Sequence, residues 1–164
     1  MNNLAIAIRK LKKKTLIIDI DVHHGNGTQY IFCNDKNVFF LSIHQHPATL
    51  YPGTGYDREN SDHVLNVPLE PGTGDRTYLE RLGEAIQKIK KAKFHPQLVA
   101  ISAGFDTWTD DPIANIDIKD SETYFKIGKM INDNFKCPKF ACLEGGYYLP
   151  KLGENVYNFI KAFL

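Results

Sequence analysis

Short, nearly continuous apolar runs recur along the chain and predict the strands of a parallel β-sheet. A strand buried on both faces lacks the apolar–polar alternation of a half-exposed strand, and these runs barely alternate. β-branched or aromatic residues dominate them, and Gly, Asp or Ser residues bound them, as is typical of strands. We predict strands over residues 16–21, 38–43, 98–103 and 140–143, with a shorter edge strand over 64–67.

Apolar positions at helical spacing lie between these runs. Leu4, Ile8 and Leu11 follow the i, i+4, i+7 pattern, with Asn3 as the predicted N-cap. Alternating strands and helices indicate an α/β fold with helices on both sides of a parallel sheet. In such sheets, sites form outside the carboxyl ends of the strands. The remaining predicted helices cover 75–92, the segment that Asp120 caps, and the tail from Leu152.

Length and composition are those of an ordinary globular protein. The chain has 164 residues, 43% of them apolar and 24% charged, with a net charge of +1. A duplex-DNA binder usually has a clear basic excess, so we expect no direct contact with nucleic acid. No apolar run approaches the roughly 18 residues of a membrane span, and the N-terminus lacks the order of a signal peptide. Three cysteines without a C-x-x-C pair indicate reduced thiols, as in cytosolic proteins. We therefore expect a cytoplasmic protein, and, from the absence of a long apolar run, one without membrane contact.

Two carboxylates and a histidine follow the first predicted strand. Asp19, Asp21 and His23 are two residues apart, so on a strand their side chains would share one face. Burying two carboxylates is unfavourable unless a cation or hydrogen bonds compensate them. A divalent metal on Asp21 and His23 would do so, while the alternative is a hydrogen-bonded Asp–His pair that caps the next helix.

A third carboxylate follows another strand, because Asp106 comes directly after the run over 98–103. Together with Asp21 and His23 it would give three protein ligands, which leaves a metal position open for water and substrate. Glycines 145 and 146 then lead to Tyr147 at the end of the last strand. A phenol at that edge can donate a hydrogen bond to a developing oxyanion.

These residues occur in an ordered set of motifs that spans nearly the whole chain. The set comprises Asp-x-Asp-x-His-His-Gly-x-Gly-Thr, Ser-Ile-His, Leu-Tyr-Pro-Gly-Thr-Gly, Ser-Ala-Gly-Phe-Asp, Asp-Pro and Glu-Gly-Gly-Tyr. It resembles the histone deacetylase superfamily, which includes acetoin-utilisation proteins and acetylpolyamine amidohydrolases. The resemblance implies a three-layer αβα parallel sheet, the arginase–deacetylase fold, and hydrolysis of an acetyl-lysine or a related acyl amide.

The resemblance also implies roles for individual residues. Asp21, His23 and Asp106 would bind zinc, although such ligands also accept Fe²⁺ or Co²⁺, and Tyr147 would stabilise the oxyanion. A structural potassium ion would lie at Asp19 and Ser42. The acyl tunnel would be lined by Tyr51, Gly145 and Gly146, with Ile113 where polyamine-specific relatives have an acidic residue.

One family feature has no counterpart in this sequence. Family members have a consecutive His-His pair, the general base and acid, upstream of the first metal-binding strand. His23 is assigned as a ligand, and His24 would point to the opposite face. We therefore expect residues 1–164 to be the C-terminal portion of one deacetylase domain, nearly inactive alone. A separately encoded N-terminal half would be one possible partner, beside the acetylated substrate.

Three other functions compete with this interpretation. An arginase-like dimetal hydrolase needs bridging carboxylates where this chain has Gly25 and Trp108. A haloacid-dehalogenase-like phosphotransferase also uses Asp-x-Asp, but it requires Thr or Val at the position of His23. The third alternative is a catalytically dead fragment that only binds metal. A P-loop is excluded, because neither Pro-Gly-Thr-Gly copy is followed by Lys-Ser or Lys-Thr.

Overall fold

The computed structural model describes residues 1–164 and contains five strands and five α-helices, which alternate along the chain except where two strands follow each other. The strands are β1 (Thr15–Asp19), β2 (Val38–Gln45), β3 (Val64–Leu69), β4 (Leu98–Ala103) and β5 (Lys139–Leu143). The helices are α1 (Asn3–Leu11), α2 (Asn26–Phe32), α3 (Asp75–Lys91), α4 (Glu122–Asn134) and α5 (Leu149–Lys161), and a 3₁₀ turn covers Asp57–Glu59. None of the helices combines the length and the apolar character needed to span a membrane.

All five strands are parallel and form one sheet in the order β3-β2-β1-β4-β5. The predicted edge position of β3 is confirmed. From β1 the chain first builds outward through β2 and β3, and it then returns to add β4 on the other side. The order therefore reverses between β1 and β4, and such reversal points are where open α/β sheets place their sites.

Helices cover both faces of the sheet, which confirms the three-layer prediction. Leu16 and Ile18 of β1 belong to the larger core, which includes apolar residues of α3, α4 and α5. Ile17 points the other way, into a smaller core that includes residues of α1 and Phe32 of α2. Since successive residues of a strand face opposite sides, burial on both sides explains why the strands read as continuous apolar runs.

Several predicted details differ from the structure. Asn2, not Asn3, caps α1, because its Oδ1 accepts a hydrogen bond from the Ala5 N–H at 2.8 Å. Helix α4 begins at Glu122 after Ser121, although Asp120 Oδ1 still accepts from the Glu122 N–H at 2.9 Å. No range was predicted for helix α2, since its seven residues, Asn26–Phe32, are too few to show a clear helical period.

Candidate metal centre

The first two ligand candidates lie in a bend after β1, not on the strand itself. Strand β1 ends at Asp19, although residues 16–21 were predicted to be extended. The Asp21 N–H donates to Asp19 Oδ1 at 3.1 Å, and the His23 N–H donates to Asp21 Oδ1 at 2.9 Å. These local bonds from Asp side chains compete with the sheet ladder and bend the chain. The prediction that strand alternation would align the three side chains is therefore wrong.

The bend nevertheless brings Asp21 and His23 together with Asp106. His23 Nδ1 lies 3.0 Å from Asp21 Oδ1 and 3.2 Å from Asp106 Oδ2. Each of the three residues offers one ligand atom, and these atoms lie within 4.8 Å of one another. The alternative of an Asp–His pair that caps the next helix is disfavoured, because no side chain caps α2.

Asp106 presents one oxygen to this centre without a hydrogen-bond partner. Its Oδ1 accepts from the Val22 N–H at 2.9 Å, whereas the buried Oδ2 has no aligned donor. A buried carboxylate oxygen without a donor is unfavourable, and a cation would compensate it. One imidazole and two carboxylates are also a ligand set that Zn²⁺ accepts. The residues present therefore fit a divalent metal.

The electrostatics of the three side chains are those of a cation site. Close contacts with the Asp106 and Asp21 carboxylates raise the pKa of His23 to about 10, so in the metal-free protein an imidazolium lies between two carboxylates. Burial raises the pKa of Asp106 to about 6, despite the opposing contact with His23. Burial also opposes ionisation of Asp21, but bonds from His23 and Gly145 outweigh it and lower its pKa.

Two glycines let the backbone approach the ligands closely. A Cβ at Gly104 would lie 2.5 Å from the Asp21 Cα. A Cβ at Gly145 would lie 2.6 Å from Asp21 Oδ2 and closer still to Asp106 Oδ2. The Gly145 N–H instead donates to Asp21 Oδ2 at 2.8 Å. Sequence reasoning missed Gly104, although its place in Ser-Ala-Gly-Phe-Asp, directly after β4, was the available signal.

Asp19 and Ser42 are neighbours in the sheet, as register partners on β1 and β2. Both are buried. Burial and the Asp21 charge raise the pKa of Asp19 well above its usual range. The Ser42 hydroxyl lies 2.8 Å from His44 Nδ1. The predicted potassium site at this pair stays a prediction. A cavity of about 280 Å³ opens on Asp19, Asp21 and His23.

Three of the predicted oxyanion and tunnel residues, Tyr147, Tyr51 and Ile113, lie at the protein surface. Tyr147 is 51% exposed, and partial burial with the charges of Asp106 and Asp21 raises its pKa. Tyr51 is 79% and Ile113 45% exposed, so neither is enclosed in this structure. Gly146 has a φ of +132°, which favours glycine, and leads directly into Tyr147. Their tunnel role stays a prediction.

His24, next to the candidate ligand His23, forms a pair with His44 that the sequence did not predict. The rings of His24 and His44 lie 4.9 Å apart. His24 Nδ1 contacts Thr54 Oγ1 at 2.8 Å, and its Nε2 contacts Gln29 Oε1 at 2.9 Å. His44 is likewise engaged at both nitrogens. His24 thus joins the ligand bend to the loop that follows Tyr51, and both of its nitrogens are occupied.

Known proteins match nearly the whole length of this chain. Residues 1–163 match the model of the histone deacetylase domain. A probable deacetylase from Methanothermobacter thermautotrophicus is 40% identical over 98% of this chain and 51% of its own length. Acetylpolyamine amidohydrolase from Mycoplana ramosa is 36% identical over 99% of this chain and 49% of its own length. The chain belongs to the histone deacetylase family.

Solved structures show the same architecture. Acetylpolyamine aminohydrolase from Burkholderia pseudomallei superposes with a TM-score of 0.88 at 28% identity, over 99% of this chain and 49% of that one. A histone deacetylase homologue complexed with SAHA also gives 0.88, at 26% identity, over 96% of this chain and 45% of that one. The arginase–deacetylase fold is confirmed. The chain spans about half the length of the curated relatives named here.

Proposed function

We propose that this chain provides the metal centre and oxyanion tyrosine of a zinc-dependent deacetylase, a C–N hydrolase that acts on linear amides. The observation that carries the proposal is the convergence of Asp21, His23 and Asp106, with the partnerless Asp106 Oδ2 facing His23 Nδ1. Membership of the histone deacetylase family supports the reaction class. The substrate would be an acetylated lysine side chain or an acetylated small amine.

Each residue has a distinct task in this proposal. Asp21, His23 and Asp106 would hold the ion, which when bound supplies Lewis-acid chemistry that polarises an amide carbonyl and activates water. The hydroxyl of Tyr147 donates a hydrogen bond to the developing oxyanion, a contribution of about 3–4 kcal/mol in comparable sites. The phenol keeps its proton at neutral pH and remains a donor, since the ordinary tyrosine pKa is about 10 and partial burial raises it further.

Only one metal is proposed at this centre. A second metal would need bridging carboxylates at positions 25 and 108, which are Gly25 and the buried Trp108. Space near Gly25 is limited as well, because its absent Cβ would collide with the Asp19 carboxylate. These observations support the deacetylase arrangement over a dimetal arginase-like one.

In this proposal, proton transfer is the step that this chain alone performs poorly. His24 and His44 are engaged at both ring nitrogens, so neither can replace the family's paired histidines as the base. Loss of a general base typically lowers turnover by about 10²–10⁴-fold. This observation favours a second candidate function, a metal-binding fragment without turnover. The expected N-terminal half on a separate chain finds no support in the comparisons and stays a prediction.

Zinc titration and an amidase assay test the proposal together. By calorimetry, the wild-type chain should bind one zinc ion and the Asp106→Asn variant should bind much more weakly. Asp110→Asn is the matched control, because Asp110 is exposed and contacts the Trp108 indole rather than the centre. Zinc affinity unchanged in Asp106→Asn would refute the metal centre. If the chain hydrolysed acetyl-lysine peptides as fast as intact deacetylases do, the inference that it lacks a general base would be refuted.

A further inference from the structure

A buried carboxylate outside the ligand set connects two residues of the proposed reaction site. Asp111 is only 5% exposed and lies in the loop that follows Asp106. Its Oδ2 accepts a hydrogen bond from the Tyr147 N–H at 2.7 Å, and its Oδ1 accepts from the Ile113 N–H at 3.1 Å. Each oxygen therefore holds the backbone of one residue that is predicted to face the substrate.

The Tyr147 bond crosses between two separate parts of the chain. Tyr147 lies 36 positions after Asp111, in the Gly-Gly-Tyr loop between β5 and α5. A glycine-rich loop has many accessible backbone conformations, so fixing it requires specific bonds. The loop has two such side-chain anchors, because Gly145 is bound by Asp21 and Tyr147 by Asp111. Of these, only Asp111 acts on the tyrosine itself.

We propose that Asp111 is a positioning residue that fixes Tyr147 and Ile113 relative to the candidate metal centre. The inference rests on the proposed function, in which Tyr147 must aim its hydroxyl at the oxyanion. A charged acceptor makes stronger hydrogen bonds to backbone N–H groups than a neutral one does. The two oxygens of Asp111 therefore order the backbone of both Tyr147 and Ile113.

The test is amide hydrogen exchange in the metal-free chain, followed by NMR. In Asp111→Ala, the Tyr147 and Ile113 amides should exchange roughly tenfold faster or more, since bonds to a charged group are lost. Exchange of amides at the centre of the sheet, such as those of Ile18 and Ile101, reports global stability and shows whether the variant is folded. Asp110→Ala removes the neighbouring exposed carboxylate and should leave both loop amides unchanged. Unchanged exchange at Tyr147 in folded Asp111→Ala would overturn the proposal.

A second variant covers the case in which Asp111→Ala does not fold. Asp111→Asn keeps one acceptor oxygen and loses the other, so at least one of the two amides should exchange roughly tenfold faster. Protection of both amides at the wild-type level would overturn the proposal.

The phenol of Tyr147 gives a readout that a general loss of stability would not produce. Asp111 is one of the charges that raise the pKa of Tyr147, after burial, Asp106 and Asp21. The pKa of Tyr147, followed by NMR, should therefore fall in Asp111→Asn and stay constant in Asp110→Asn. Equal shifts in both variants would contradict a specific role. Neither readout needs metal, so a failure of zinc binding would refute the proposed function separately.

Discussion

Replacement of Gly145 by alanine should weaken zinc binding while the fold is kept. The added Cβ would lie 2.6 Å from Asp21 Oδ2 and still closer to Asp106 Oδ2, so it would occupy the space between two ligand oxygens. Asp106 cannot move aside freely, because the Val22 N–H holds its other oxygen at 2.9 Å. Relief of the collision therefore requires either the loss of that bond or rotation of Oδ2 away from His23.

The size of the effect follows from the cost of overpacking. An extra methyl group in a packed site typically costs about 1–3 kcal/mol. Because about 1.4 kcal/mol corresponds to a tenfold change in a dissociation constant, the zinc Kd should rise roughly tenfold to a hundredfold. Calorimetric titration with a competing chelator measures such a change.

Gly153 is the matched control for this substitution. It lies inside α5 and has no atom within 4 Å of its missing Cβ. Gly153→Ala should therefore stabilise the chain by about 0.5–1 kcal/mol through helix propensity, and zinc affinity should not change. An unchanged zinc Kd in Gly145→Ala would show that the ligand oxygens are not where the structure has them.

Three further predictions address other parts of the molecule. Zinc must displace the proton that the raised pKa of His23, about 10, keeps on the imidazole, so affinity should rise about tenfold per pH unit between about pH 7 and 9. Asp106, with its pKa of about 6, is already ionised in that window. Calorimetry in buffers of different ionisation enthalpy should therefore show one proton released for each zinc ion bound. Zinc binding without proton release would contradict the site. Gly55→Ala should cost more than about 2 kcal/mol in urea unfolding, because its Cβ would lie 2.5 Å from His44 Nε2 at a φ of +93°. Gly72→Ala, at a φ of +82° in open space, should cost only about 1 kcal/mol. Equal losses of unfolding free energy in the two variants would argue against the packing of the histidine pair on Gly55. Asn2→Ala should cost about 1 kcal/mol as the loss of a helix cap, whereas Asn3→Ala should cost little, and the reverse order would restore Asn3 as the cap.

The sheet was predictable because burial on two faces leaves a simple pattern. Strand β4 matches its predicted range of 98–103, and β2, β3 and β5 differ from prediction by one or two residues at an end. The first strand was predicted too long, because Ile20 and Val22 are buried and apolar although the chain has left the sheet. An apolar pattern indicates that residues are buried, but it does not distinguish a strand from a buried bend.

The convergence of the candidate metal ligands was predictable for a related reason. Parallel strands end at one edge of the sheet, so carboxylates after β1 and β4 must lie near each other once the two strands are neighbours. The histidine pair and the Asp111 anchor could not be predicted in this way. Both depend on contacts between loops, such as His24 with Thr54 and Asp111 with Tyr147, and a sequence pattern carries no information on which loops touch.

Anomalous scattering at the zinc edge, from a crystal of the zinc-soaked chain, tests the proposed metal centre most directly. One strong peak should appear in contact with Asp21, His23 and Asp106, and it should be lost in Asp106→Asn. Two adjacent peaks would indicate a dimetal centre. A peak elsewhere, with these three side chains uncoordinated, would contradict the proposed site.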